Sequence, residues 1–157
     1  MIERVSFRNL DAGLALARAM HEESEFRNLP FDDDKVARLA WNPDVFAVLW
    51  RDDNGTGQYT GAMLGFAGPH YFCDAIVARD LALFVHPDRR GGVAAIRMVR
   101  EFESWAVERG AVEGYLGSST GVAPERTRLF YEHLGYRCIG SVNKKGFANG
   151  GENVHRG

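Results

Sequence analysis

Two arginines followed by two glycines (Arg89, Arg90, Gly91 and Gly92) stand between a hydrophobic run and a helix-like segment. The first backbone N–H groups of a helix lack partners within the helix, and the helix dipole adds about half a positive charge there. Glycines let an anion approach the backbone closely, and guanidinium groups add charge and paired donors. The stretch therefore predicts a site for a phosphate or diphosphate, although an ordinary surface turn before a helix has the same composition.

Two common phosphate-binding motifs are missing from the sequence. The P-loop pattern G-x-x-x-x-G-K-[ST] does not occur, and neither does the dinucleotide fingerprint G-x-G-x-x-G. Whatever phosphate ligand the stretch binds, these two nucleotide-binding motifs do not describe it.

Apolar periodicity and turn residues divide the chain into alternating elements. Their order is β-α-α-β-β-β-α-β-α-β, which predicts an α/β (α+β) fold with a central mixed sheet and helices on both faces. We expect one domain over 1–157, in which 143–157 form a loose tail or a weak final hairpin. Strands are predicted over 2–7, 45–50, 59–68, 75–85, 111–117 and 136–142, and helices over 12–26, 32–42, 91–109 and 124–134.

The helix over 91–109 shows the clearest helical periodicity in the chain. An apolar stripe repeats at helical spacing, with charged residues on the opposite side. The residues predicted to face the core are Val93, Ile96, Val99, Phe102 and Ala106.

Composition narrows the class of protein. The chain has 157 residues, of which 45% are hydrophobic and 25% charged, as expected for a globular domain. A net charge of −2 gives no global attraction to nucleic acid or to an acidic membrane. The two cysteines have no metal-binding spacing, and we see neither a signal peptide nor a membrane span, so we expect a cytoplasmic protein without a metal.

The phosphate-binding stretch resembles the loop of the GNAT superfamily of acyl-CoA-dependent N-acyltransferases. In that family a strand ending in V-x-P precedes [QR]-x-x-G-x-[GA] and a long helix. Here Val85, Pro87, Arg90 and Ala95 stand in register, and Val93 replaces the middle glycine.

A second motif of the same family follows downstream. Its later helix usually reads A-x-x-x-Y-E-x-x-G-[FY], and this chain has "TRLFYEHLGY". Tyr131 and Gly135 match, Thr127 replaces the alanine, and Pro124 stands where an asparagine is common. The two motifs cover about half the chain and lie on the expected elements.

The resemblance implies a function and a substrate pair. It implies transfer of an acetyl group from acetyl-CoA, the co-substrate, to a primary amine by direct transfer in a ternary complex. Backbone groups of Leu83, Phe84 and Val85 would bind the pantetheine arm. The diphosphate would be held by Arg89, Arg90, Gly91, Gly92, Val93, Ala94 and Ala95, with Arg126 as a further cofactor-binding residue.

Two residues are candidates for proton transfer. By resemblance, Tyr131 is the general acid towards the CoA sulfur, although simple packing against the cofactor arm is an equal rival. Asp80 is the first candidate base, with Glu113 and His86 as alternatives, and a salt bridge between Asp80 and Arg79 competes with that role.

The acceptor amine is left open. In this fold class the first two helices and their connection form the acceptor pocket, and the acids Asp32–Asp34 would attract a cation there or merely cap a helix. A polyamine, an aminoglycoside, a lysine side chain or a protein N-terminus would all fit. A partner subunit could complete the sheet edge as a homodimer.

Two competing functions remain. The same fold could serve as a catalytically silent CoA-binding or protein-interaction module. More remotely, "GSSTG" at Gly117–Gly121 matches the nucleophile-elbow pattern G-x-S-x-G of serine hydrolases, with Ser119 as the nucleophile.

Overall fold

The structure is a computed structural model, and it describes residues 1–147. The elements alternate much as the sequence patterns predict, with one short 3₁₀ turn before the third α-helix. They are β1 (Ile2–Arg4), α1 (Leu10–Glu23), α2 (Asp33–Trp41), β2 (Val45–Arg51), β3 (Tyr59–Pro69), β4 (Ile76–Val85), the 3₁₀ turn (Pro87–Arg89), α3 (Ala94–Glu108), β5 (Glu113–Tyr115) and α4 (Pro124–His133).

One mixed sheet carries all five strands in the order β1-β2-β3-β4-β5. Every neighbouring pair is antiparallel except β4 and β5, which are parallel because α3 crosses between them. The chain reverses between β2 and β3 at the turn that contains Asn54 and Gly55, a dipeptide typical of hairpin turns. The predicted fold class, a mixed sheet with helices, is confirmed.

Helices cover both faces of the sheet, and strand alternation divides the apolar residues between them. Phe46, Val48 and Trp50 of β2 pack in the cluster that includes α3. Leu49, between them in sequence, packs with Leu16 of α1 on the other face.

The α3 face is tightly packed. Phe46, Met98 and Phe102 are completely buried there, and the Phe46 and Phe102 rings meet edge to face with centroids 5.5 Å apart. Gly65 of β3 permits this contact, because a Cβ at that position would lie 2.5 Å from Phe102 Cε2. The absence of a side chain on β3 therefore sets how closely α3 approaches the sheet.

The opposite face has fewer buried residues. Its buried cluster consists of Leu16, Leu49, Ala62 and Phe84. No residue of α2 is buried, although Asp32 caps that helix by accepting from the Lys35 N–H at 3.0 Å. The α2 helix therefore has an N-terminal cap but packs loosely against the rest of the protein.

Three details of the sequence prediction are wrong. The segment 136–142 forms no strand, because a strand needs a partner and β5 is only three residues long. The third helix begins at Ala94 instead of Gly91, because Gly91 has a φ of +90° and cannot start a right-handed helix. Val93 and Ile96 are exposed, at 54% and 36%, whereas Met98 and Trp105 join Val99, Phe102 and Ala106 in the core.

The remaining predictions concern the tail of the chain, the edge of the sheet and a membrane span. Residues 143–147 form no strand, and the rest of the predicted tail lies outside the described residues. Since β5 ends the sheet among the residues described, the homodimer stays a prediction. Over residues 1–147, no helix is both long and apolar enough to cross a bilayer.

Candidate active site

The site begins where two parallel strands separate. β4 and β5 are paired only from Val77–Glu113 to Arg79–Tyr115. Beyond that point the Asp80 carboxylate reaches across and accepts a hydrogen bond from the Gly117 N–H at 2.8 Å. The separation opens a cleft of about 610 Å³ between β4, the start of α3 and α4.

On one wall of this cleft, backbone groups of β4 point away from β3. The His86 N–H donates to the Thr60 carbonyl at 2.8 Å, which places His86 and Phe84 in the pairing phase with β3. The backbones of Leu83 and Val85 therefore point to the cleft. Of the three residues predicted to line the pantetheine arm, Leu83 and Val85 offer backbone groups, whereas the Phe84 backbone is turned to β3.

The loop before α3 presents a run of unpaired N–H groups. The first helical bond of α3 runs from the Arg97 N–H to the Val93 carbonyl at 3.0 Å. Among the described residues, the backbone N–H groups of 91–96 have no hydrogen-bond acceptor in the protein. Six consecutive donors at a helix N-terminus are well suited to an anion, as the loop sequence predicts.

The guanidinium groups around this loop differ in their partners. Arg89 pairs with Asp52 at 3.0 Å, and Arg90 binds the Glu23 carboxylate and donates to the Val85 carbonyl at 2.9 Å. Arg126 lies beside Gly91, where a Cβ would be 3.9 Å from its Nη2, and forms no ion pair with any residue the structure describes. Because carboxylates offset the charges of Arg89 and Arg90, Arg126 is the better placed cation for a bound phosphate.

Asp80 is half-buried in the cleft, and its environment makes it a stronger base. Burial disfavours the charged carboxylate and raises the pKa of Asp80 to about 6, against the lowering effect of the Gly117 N–H bond. The competing salt bridge does not form, since the Arg79 guanidinium instead lies over the Tyr115 ring, 4.5 Å from its centroid.

Tyr131 is buried beside the other backbone group of the same residue, the Gly117 carbonyl. Its hydroxyl lies 3.4 Å from the Gly117 carbonyl oxygen, as a long hydrogen bond. Burial, and then the nearby Asp80 charge, raise the pKa of the Tyr131 phenol and keep it protonated. The structure thus brings the two predicted proton-transfer residues to opposite ends of Gly117.

The alternative bases lie outside the cleft. Glu113 accepts a hydrogen bond from the Tyr115 hydroxyl at 2.6 Å, and exposed His86 is 3.6 Å from Asp88. Neither residue lines the cavity. Asp80 is the one candidate base that the fold places beside Tyr131.

The predicted acidic acceptor residues have structural partners. Asp32 caps α2, and Asp33 pairs with Arg18 of α1. None of Asp32–Asp34 lines the cleft; capping explains Asp32, ion pairing explains Asp33, and Asp34 lies in the first turn of α2.

The contacts of three contributors to the site were not identified from sequence, although Glu23 was among the acids expected near the acceptor. Glu23 lines the cleft and binds Arg90, Asp52 holds Arg89, and Gly117 joins Asp80 to Tyr131. The partners in each of these contacts lie far apart in the chain, so no local spacing pattern reports them. In the sequence, only the family resemblance of the loop before α3 indicated that a site lies in this part of the molecule.

The serine motif lacks the features of a nucleophile elbow. Within residues 1–147, Ala123 is the only residue other than glycine with a positive φ, so Ser119 is not on a strained left-handed turn. Ser119 forms no hydrogen bond to a histidine in that range either, whereas the neighbouring Ser118 hydroxyl lines the cleft, buried and without a described partner.

Solved structures of similar shape include acetyltransferases. The ribosomal-protein-alanine N-acetyltransferase of Brucella melitensis biovar Abortus 2308 superposes with a TM-score of 0.70 at 20% identity, covering 94% of this chain and 99% of that one. The aminoglycoside 6'-N-acetyltransferase of Acinetobacter haemolyticus gives 0.71 at 17% identity, covering 94% and 97%. An aminoglycoside acetyltransferase from an uncultured soil metagenome, in complex with trehalose, gives 0.73 at 15% identity, covering 94% and 95%.

These structural similarities show that the chain shares the fold of those proteins. No curated protein matches the sequence itself. The family model described as Acetyltransferase (GNAT) family matches residues 15–136, which include both walls of the cleft and most of the chain. The resemblance seen in the sequence is therefore confirmed, and the chain belongs to the GNAT acetyltransferase family.

Proposed function

We propose that the protein transfers an acetyl group from acetyl-CoA to a primary amine while both substrates are bound. One observation carries this proposal: a single cleft is lined by the unpaired donors at the start of α3, the open edge of β4, and the Asp80–Gly117–Tyr131 group. Each part matches one requirement of acyl transfer, namely holding the donor, aligning the thioester and moving protons.

The donor would lie along the open edge of β4. Its diphosphate would accept hydrogen bonds from the N–H groups of 91–96, with Arg126 supplying positive charge. The amide-bearing pantetheine arm would run past the backbones of Leu83 and Val85, which offer strand-like hydrogen-bonding groups, apart from the Val85 carbonyl that accepts from Arg90. This path carries the thioester towards Asp80.

The chemical step removes two protons from the ammonium nitrogen, one before attack and one after it, and supplies one proton to the sulfur. Asp80 would take a proton from the ammonium form of the acceptor, directly or through a water, which frees the nitrogen lone pair. The nitrogen then forms a C–N bond to the thioester carbon, and collapse of the tetrahedral intermediate breaks the C–S bond. The thiolate leaves with the proton of the Tyr131 hydroxyl, or stabilised by a hydrogen bond from it. The second nitrogen proton, lost as the intermediate collapses, returns to the Tyr131 phenolate in the first case and goes to solvent in the second. Asp80 then releases its proton to solvent.

The two proton transfers assist each other through charge. The Asp80 carboxylate is one of the causes that raise the pKa of Tyr131. When Asp80 takes the amine proton, that negative charge is neutralised and the phenol becomes a stronger acid. The base therefore acts first and prepares the acid for the leaving sulfur.

The test is release of free thiol from acetyl-CoA in the presence of a panel of primary amines. We expect amine-dependent release, slowed about 10²-fold in Tyr131→Phe with little change in acetyl-CoA binding, because the phenyl ring keeps the packing but lacks the proton. Acetyl-CoA binding without amine-dependent release would instead identify a silent CoA-binding module. Full activity in Tyr131→Phe would leave that residue with a packing role only.

A further inference from the structure

A second cavity lies on the loosely packed face, between α1, α2 and the sheet. Its volume is about 250 Å³. Nearly all of its wall is aliphatic or aromatic. The wall includes Leu14, Ala17, Val36, Leu39, Leu64 and Leu81.

The polar side chains on this wall already have partners. The His21 Nε2–H donates to the Leu29 carbonyl at 2.8 Å. The Ser24 hydroxyl donates to the His21 carbonyl at 2.9 Å and accepts from the Phe26 N–H at 3.1 Å. A hydroxyl-rich ligand such as a sugar would lose its water here without gaining replacement hydrogen bonds, whereas an apolar group loses nothing.

The cavity adjoins the acetyl-transfer cleft. Met20, Phe26, Ala82 and Phe84 line both spaces. Leu81 also lines both, and it follows Asp80 at the bulge where β4 shifts register against β3. An amine nitrogen held at Asp80 therefore has its substituent next to the apolar cavity.

The α2 helix covers the cavity and belongs to neither buried cluster. No residue of α2 is buried, and its apolar side chains Val36, Leu39 and Ala40 line the empty space. A closed apolar space of about 150 Å³ accommodates benzene, so 250 Å³ suits a ring with a short alkyl chain.

We propose that the acceptor is a primary amine with an aryl or bulky alkyl substituent, and that this cavity binds the substituent. The inference rests on the proposed acetyl transfer, because it places the amine nitrogen at Asp80. It selects against the polyamines and aminoglycosides that the sequence left open, since their polar groups would be buried against an apolar wall.

The direct comparison uses 2-phenylethylamine and ethanolamine, which share an aminoethyl group and differ in a phenyl ring against a hydroxyl. We expect kcat/KM for thiol release to be about tenfold to a hundredfold higher with 2-phenylethylamine, the value of burying one aromatic ring. Equal values for the two amines, or a preference for ethanolamine, would overturn the proposal.

Filling the cavity should remove this preference. Ala17→Leu adds volume inside the cavity, and Ala15→Leu makes the same change at an exposed position of α1. We expect Ala17→Leu to reduce the ratio of the two kcat/KM values to about threefold or less, with cooperative thermal unfolding as the evidence that the variant is folded. Ala15→Leu should keep the wild-type ratio, and equal effects of the two variants would contradict the assignment.

Ala40→Leu of α2 provides a second filling variant should Ala17→Leu fail to fold. Calorimetric titration of 2-phenylethylamine without acetyl-CoA separates this inference from the proposed activity. Binding that is lost in the filling variants supports the apolar pocket even if no thiol is released from either amine, in which case only the transfer reaction fails. No binding to the wild type would overturn the pocket itself.

Discussion

The two faces of the sheet differ in how tightly their side chains pack. On the α3 face, Phe46, Met98 and Phe102 are completely buried around a glycine that brings helix and strand together. On the α1–α2 face, α2 has no buried residue and a cavity of about 250 Å³ remains. The contrast teaches that rigidity and vacant space are separated here, with tight packing on the α3 face and the vacant space proposed for the acceptor on the other.

The packed face also fixes the position of the proposed anion site. The body of α3 is held by Met98, Phe102 and Trp105, so the unpaired N–H groups at its start have a fixed position against β4. Donors held in place by a core need no reorganisation when an anion binds. The point where β4 and β5 separate lies at the same end of the sheet as these N–H groups.

The largest expected effect compares truncations on the two faces. Phe102→Ala should lower the free energy of unfolding by about 3–5 kcal/mol, because it opens a void in a close-packed core. Leu14→Ala borders space that is already empty and should cost less than about 1.5 kcal/mol. Denaturant unfolding of both variants measures the difference, and similar losses on the two faces would remove the contrast.

The next effect concerns the carboxylate in the cleft. Asp80→Asn should lower kcat/KM by about 10²-fold or more at pH 8, because the amide cannot accept the amine proton. In the wild type, kcat/KM should fall about tenfold per pH unit below about 6, where Asp80 becomes protonated. A pH–rate profile that keeps this limb in the variant would assign the base elsewhere.

The same substitution should raise stability. Folding raises the pKa of Asp80 above its unfolded value of about 3.9, so the folded state binds the proton more tightly. The wild type therefore loses stability as pH rises from about 4 to about 6, by about 3 kcal/mol at most. Asp80→Asn lacks this loss, and unfolding curves at pH 4 and pH 7 should show it more stable than wild type only at the higher pH.

Turn chemistry explains why most of the fold was predictable. Asn54-Gly55 specifies the β2–β3 turn, and Pro124 and Gly135 bound α4, because each signal acts over a few residues. The segment 136–142 has strand-like residues but no neighbouring strand, and sequence does not report a missing partner.

The charges of the site were less predictable than its backbone. The loop before α3 could be recognised from glycines and arginines next to each other. Asp52 and Glu23, which offset Arg89 and Arg90, come from β2's end and α1, and only the folded chain brings them together. Sequence therefore indicated an anion site but not which guanidinium group is left to serve it.

The smallest expected effect tests this distribution of charge. Arg126→Ala should weaken acetyl-CoA binding about tenfold, because it removes the cation beside Gly91. Arg128→Ala is the matched control on the same helix, since Arg128 is paired with Glu125 and Glu132 and does not line the cleft. Calorimetric titration at one fixed salt concentration compares them, and equal weakening would mean that general positive charge on α4 matters more than its position.

A crystal structure with acetyl-CoA bound tests the cleft assignment most directly. We expect the diphosphate on the N–H groups of 91–96, the arm along Leu83 and Val85, and the acetyl carbon between Asp80 and Tyr131. Density for the cofactor on another surface, or an acetyl group pointing away from Asp80, would contradict the site proposed for this protein.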